Sequence, residues 1–150
     1  MQKLKILNNR EKKEILLLLL QHYGFKEGIE HAMLMNEKNK LYLVNQDFGQ
    51  IDYENLRINS VGLYFGELKH GELRLSIEGS QIIGKHATHH ILELSSENTF
   101  LWLRGAEVPT DSGEGFVLLK HENDFLGCGK VKEGRVLNFV PKERRIKSTS

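Results

Sequence analysis

The chain reads as an α+β protein: a small N-terminal α/β unit over residues 1–60, followed by a small β-barrel unit over residues 61–150. Three observations predict this. One strong helix signal sits near the start, around the apolar run Ile15-Leu-Leu-Leu-Leu-Leu20. From Val61 onward, short β-type runs recur at close intervals. Glycines at 105, 113, 115, 127, 129 and 134 then punctuate the last third as turns and bulges, the pattern of a small barrel or sandwich. A length of 150 residues suffices for one ordinary domain or two small ones.

The elements follow in order. Asn8-Asn9 before Arg-Glu-Lys-Lys-Glu is a helix start with a capping asparagine, and Gly24 after Tyr23 is its stop. Six consecutive apolar residues leave that helix no polar face, so it is expected to pack on several sides. Ala32–Met35 and Leu41–Val44 flank the polar turn 36–40 and predict a β-hairpin. A short helix is expected from about Asp47 to Asn55. Val61–Lys69 and Glu72–Ser76 surround His70-Gly71, a two-residue hairpin loop. Leu73 and Leu75 alternate with Arg74 and Ser76, so one strand face is buried and the other wet. Ser76–Lys85 offers a short helix capped by serine, and Ile91–Leu94 the next strand. Strands are then expected at Phe100–Arg104, Phe116–His121, Leu126–Lys132 and Arg135–Val140, with a tight hairpin at Lys132-Glu-Gly-Arg135.

Charge is distributed unevenly. The stretch from Lys130 to Ser150 holds seven basic residues, Lys130, Lys132, Arg135, Lys142, Arg144, Arg145 and Lys147, against Glu133 and Glu143, a net charge of +5. The rest of the chain holds 14 basic and 18 acidic residues, a net charge of −4. Lys and Arg concentrated at one end are the electrostatic footprint of a protein that meets a polyanion, most often a nucleic acid. The single cysteine, Cys128, excludes an internal disulfide framework and points to a reducing compartment, the cytoplasm. The leucine run is far too short to span a bilayer, so no membrane is implied.

The motifs of the last third carry a resemblance. Leu103-Arg-Gly105, Gly115-Phe-Val-Leu-Leu119, Leu126-Gly-Cys-Gly-Lys130 and Leu137-Asn-Phe-Val-Pro-Lys142 resemble a PUA domain, most closely the C-terminal PUA-like domain of Sun-family RNA cytosine methyltransferases. The upstream Gly62-Leu-Tyr-Phe-Gly66, Leu73-Arg-Leu-Ser76 and Glu78-Gly79 fit the entry to such a domain. The overall layout is also similar to the Nip-seven-like ribosome biogenesis proteins. The resemblance implies a PUA-like β-barrel and RNA binding, to rRNA or tRNA, in ribosome biogenesis, rRNA processing or RNA modification. It also implies a protein partner held by the N-terminal unit. The methyltransferases' glycine-rich cofactor loop and paired catalytic cysteines are missing, so no cofactor and no catalytic residue are expected.

The RNA-binding residues expected on this frame are Lys130, Lys132, Arg135, Lys142, Arg144, Arg145 and Lys147. Lys130 and Lys132 alternate on one strand and share its face; Lys142, Arg144 and Arg145 follow Pro141 in an exposed segment. A solvated, partnerless basic end is the plainer alternative. Other candidates are read against bland explanations. Gly127-Cys-Gly-Lys130 lacks the spacing of a phosphate loop and reads as a bulge or close backbone approach. His86, His89 and His90 fall at helical spacing, but with no carboxylate or thiolate in register they read as surface histidines rather than zinc ligands. Cys128 reads as a small residue in a tight strand. Phe100, Trp102 and Arg104 share a strand face that core packing explains better than base stacking. Two further functional classes remain: an RNA-binding subunit acting in trans with a methyltransferase or pseudouridine synthase, and a small enzyme with a site between the two units. Binding of S-adenosylmethionine would discriminate the enzyme.

Overall fold

A computed structural model of the chain describes residues 4–44 and 62–147. The short helix expected near residues 47–55 lies outside the described residues.

The chain begins with a short strand that the sequence reading did not anticipate, β1 (Leu4–Ile6). Helix α1 (Asn9–Tyr23) follows, with both expected ends. Asn8 accepts from the Glu11 amide while the Glu11 carboxylate accepts from the Asn8 amide, a capping box. Gly24 closes the helix in the left-handed region at φ 70°, and a β-carbon there would lie 2.0 Å from Thr88 Oγ1. The leucine run does not pack on several sides. Ile15, Leu19 and Tyr23 are buried, whereas Leu17 and Leu20 are 49% and 42% exposed. The helix lies on the surface of the molecule with one face down.

Strands β2 (Ala32–Asn36) and β3 (Lys40–Val44) form the expected hairpin. Strands β4 (Leu63–Lys69) and β5 (Glu72–Leu75) form the second, about His70-Gly71. These four and β1 make one antiparallel sheet, ordered β1-β2-β3-β4-β5. Its central pairing joins β3 to β4, with Lys40 opposite Glu67 and Leu43 opposite Leu63. The sheet therefore runs through the division expected at residue 60. One apolar core, from Ile15 and Leu19 through Phe65 and Leu75 to Phe116 and Cys128, also draws on both portions.

Helix α2 (Ile77–Gly84) starts at Ser76, whose hydroxyl accepts from the Gly79 amide and donates to the Tyr64 carbonyl. Beyond it lies a second sheet, built from β6 (Ile91–Glu93), β7 (Val108–Pro109), β8 (Gly115–His121), β9 (Asp124–Lys132) and β10 (Arg135–Leu137). Its order is β6-β8-β9-β10-β7, with β6 parallel to β8 and the other pairs antiparallel. The register of β8 against β9 shifts at Leu119/Lys120, where Leu119 faces Gly127 and Lys120 faces Phe125, so the glycine-rich stretch does contain a bulge.

One expected strand is a helix. Residues 96–103 form α3 (Ser96–Leu103), capped by Ser95, whose hydroxyl accepts from the Asn98 amide. The alternation Phe-Leu-Trp-Leu mimics a strand. On a helix, however, residues two apart point roughly 200° from each other. Trp102 accordingly is fully buried while Phe100 is 48% exposed. The last strand is also shorter than expected. It ends at Leu137 because the Asn138 side chain turns the chain, donating to the carbonyls of Trp102 and Ala106, both at 2.8 Å, and accepting from the Val140 amide. A 3₁₀ turn at Lys142–Arg144 follows Pro141.

Candidate nucleic-acid interface

The seven expected RNA-binding residues fall into a strand group and a tail group. Lys130 and Lys132 flank buried Val131 on β9, so they share one strand face, as their spacing predicts. Arg135 stands directly opposite Lys132 in the β9–β10 register and joins the same face. Lys142, Arg144, Arg145 and Lys147 are all exposed.

Their partners differ, and partners decide which cations are free for phosphate. Lys130 Nζ lies 3.7 Å from the Glu72 carboxylate and 5.2 Å from the centroid of the Phe116 ring. Arg135 is tethered to Glu107, Nε to carboxylate at 3.4 Å and Nη2 to carbonyl at 3.2 Å. Arg144 forms a close ion pair with Glu78, at the start of α2. Arg145 lies across Gly105 and donates from Nε to the Val140 carbonyl at 3.1 Å. Next to it, the Ile146 amide donates to the Leu103 carbonyl at 2.9 Å, which fixes the tail to the end of α3. Lys132, Lys142 and Lys147 make no ion pair with any described residue. These three present uncompensated charge, whereas three of the others are held by carboxylates and Arg145 by carbonyl contact. Sequence spacing could not show this, because Glu72, Glu78 and Glu107 reach their partners only through tertiary packing.

The remaining candidates resolve as follows. Phe100 and Arg104 do meet, with the guanidinium 5.4 Å from the ring centroid, but as neighbours one turn apart on α3 rather than along a strand. Trp102 leaves that pair and enters the core. Its cap, Ser95 with Glu97 in the first turn, was the missed signal. His86, His89 and His90 lie beyond the end of α2, so helical spacing does not bring them together. His90 Nδ1 bonds the His22 carbonyl and its ring stacks on His22 at 4.2 Å between centroids. No group of three or more metal-binding side chains occurs among the described residues. Cys128 is buried against the Tyr23 hydroxyl at 3.7 Å, and burial pushes its thiol up to about 11. Glu67 and Glu72 face Arg74 and Lys130 across the hairpin region in ordinary ion pairs. Among the described residues, no helix is long and apolar enough to cross a membrane.

Comparison with known proteins bears on this surface. Residues 89–146, which carry all seven cations but Lys147, match the family described as the methyltransferase RsmF PUA domain. The chain is 29% identical to the ribosomal RNA small subunit methyltransferase F of Aeromonas salmonicida over 114 residues, which is 75% of this chain and 24% of that protein. It is 28% identical over 90 residues to the protein of the same name from Vibrio cholerae serotype O1, covering 59% of this chain and 19% of the relative. The Aeromonas hydrophila protein of that name is 26% identical over 117 residues, 77% of this chain and 24% of its own length. The chain thus spans about a quarter or less of the relatives it matches. Its segment from 89 to 146 is similar to the PUA domain of Sun-family RNA methyltransferases.

Proposed function

We propose that this chain is a non-catalytic RNA-binding protein of the cytoplasm whose PUA-like part, residues 61–150, holds structured RNA, ribosomal RNA above all, during ribosome biogenesis or rRNA modification. The observation that carries the reading is the family match at 89–146, on a segment that also presents the uncompensated Lys132 and Lys142. Each phosphate neutralised by a lysine releases counterions, so binding should be salt-dependent. The N-terminal unit, expected over residues 1–60, docks a protein partner. The exposed Leu17 and Leu20 on α1 support that role.

The names of the relatives favour one narrower form of this reading. In it the RNA-binding unit works alongside an RNA methyltransferase in trans. Affinity capture from native extract separates the two forms: pre-ribosomal particles support the first, a methyltransferase partner the second.

The primary test is a filter-binding titration of total RNA at several salt concentrations. With about three to six phosphate contacts, log K is expected to fall by about 0.7 per contact against log salt on single strands. Absence of binding, or salt-independent binding, refutes the proposal.

A further inference from the structure

A small cleft opens where the first sheet, the start of α2, β9 and the C-terminal tail meet. It encloses about 110 Å³ and is lined among others by Tyr64, Arg74, Glu78, Trp102, Phe139 and Arg144. Sites for drug-sized ligands measure about 300–1,000 Å³, so this one admits a single planar ring system and not a stacked pair. Its chemistry is one-sided. Arg74 and Arg144 donate only, and Arg74 is also paired with Glu67, outside the cleft, at 3.9 Å. Trp102 is fully buried, and its indole Nε1–H, also a donor only, has no hydrogen-bond partner. The one carboxylate at the mouth, Glu78, is engaged by Arg144. The aromatic wall is preorganised: the Arg74 guanidinium sits 4.7 Å from the centroid of the Phe139 ring. A ligand matched to this lining has an aromatic plane, several acceptors and negative charge.

Resting on the RNA-binding reading above, we propose that this cleft receives one unpaired nucleotide of the bound RNA. The base lies against Phe139 and offers an acceptor to Trp102 Nε1–H. Its phosphate takes Arg144 from Glu78, so the Glu78–Arg144 pair is a clasp that the RNA opens. An unpaired base is required, because bases inside a duplex present no free face to an aromatic side chain.

Trp102 is the only tryptophan in the chain, so its emission reports on the cleft directly. The probe is a single-stranded hexaribonucleotide of mixed sequence carrying a fluorescent end label. Label anisotropy gives affinity and tryptophan emission gives occupancy. Saturable change in emission is expected with the single strand and not with the same sequence as a duplex. Phe139→Ala should weaken binding about fivefold or more, as loss of a base-stacking partner does. Glu78→Gln and Arg144→Gln break the same ion pair, so a purely structural role moves affinity in one direction for both. The clasp predicts opposite directions: Glu78→Gln tightens binding about two- to fivefold, the range of an exposed ion pair, and Arg144→Gln weakens it. Glu143→Gln, the same charge change in the neighbouring turn, controls for general electrostatics and should have the smaller effect. Binding of the hexamer without any change in Trp102 emission, or equal signs for the Glu78 and Arg144 variants, overturns the proposal and leaves the RNA-binding reading standing. Inorganic phosphate reproducing the emission change reduces the cleft to an anion site and also overturns it. Failure of both hexamer and total RNA to bind refutes the two readings together.

Discussion

At Gly129 one missing methyl group decides how closely β9 approaches β10 and α3. A β-carbon there would lie 2.4 Å from Val136 Cγ1, 2.7 Å from the Trp102 ring and 3.0 Å from the Leu137 carbonyl. Gly129→Ala is expected to destabilise by about 1–3 kcal/mol through overpacking, and Gly129→Val by more. Thermal melting checks this, at about 2–4 °C per kcal/mol for a chain of this size. Beside it, Cys128 is inert for a reason of the same kind. Burial above all raises its thiol from 9.0 to about 11, while the Leu75 backbone, Tyr23 and Arg74 pull the other way. The folded form then keeps a proton that the unfolded form loses near 9. This contribution to stability is complete below about pH 9 and lost as the pH rises towards 11. Buried Tyr23 is raised as well, by burial first, and adds to the same trend. Melting temperature should fall across that window, and less steeply in Cys128→Ala. Native protein at pH 8 should resist a disulfide-exchange reagent that labels it at once in denaturant.

Among the elements, α3 and the turn after β10 hold each other in place. Asn138 is the link, bonded to both Trp102 and Ala106 and to the amide of Val140. Asn138→Ala leaves three half-buried backbone groups without these partners and should cost about 2–4 kcal/mol. A urea titration should show a lower midpoint with an unchanged slope. The same element exposes the limit of periodicity. Phe100–Arg104 alternates as a strand would, yet Ser95 starts a helix there and divides Phe100 from Trp102. The caps at Asn8 and Ser76 were legible because a capping residue stood before a stretch that itself reads as helix. Ser95 stood before aromatics that favour strands, and β propensity outweighed the cap.

For the whole molecule, the separation of charge along the sequence is only partly a separation on the surface. Three basic residues of the C-terminal segment are engaged by Glu72, Glu78 and Glu107. Reversing Arg144 and Arg145 would therefore disturb the packing of the tail along with any RNA contact. The cleaner test is Lys132, Lys142 and Lys147 to Glu together. These exposed residues have no ion-pair partner among the described residues, so stability should change by no more than about 0.5 kcal/mol per site. RNA affinity should fall at least about tenfold, since three attractions become repulsions. Lys12→Glu with Lys13→Glu on α1 should matter much less. Circular dichroism and filter binding on both variants decide it, and a larger loss from the α1 pair would move the RNA face to the N-terminal unit.

By itself the sequence determined most of the elements. Local signals suffice for a capped helix, a two-residue hairpin or a glycine bulge, because each is set by residues within a few positions of one another. The sequence also carried the resemblance to a PUA domain, in the glycine and turn motifs of its last third, and showed the basic segment there. Only the tertiary structure decided that β3 pairs with β4 across residue 60, which lysines remain free, and that Arg74, Trp102, Phe139 and Arg144 border one cleft. Those facts depend on contacts between residues far apart in the chain. Pairing register and long-range ion pairs follow from how apolar faces are buried together, and no local pattern of residues encodes them.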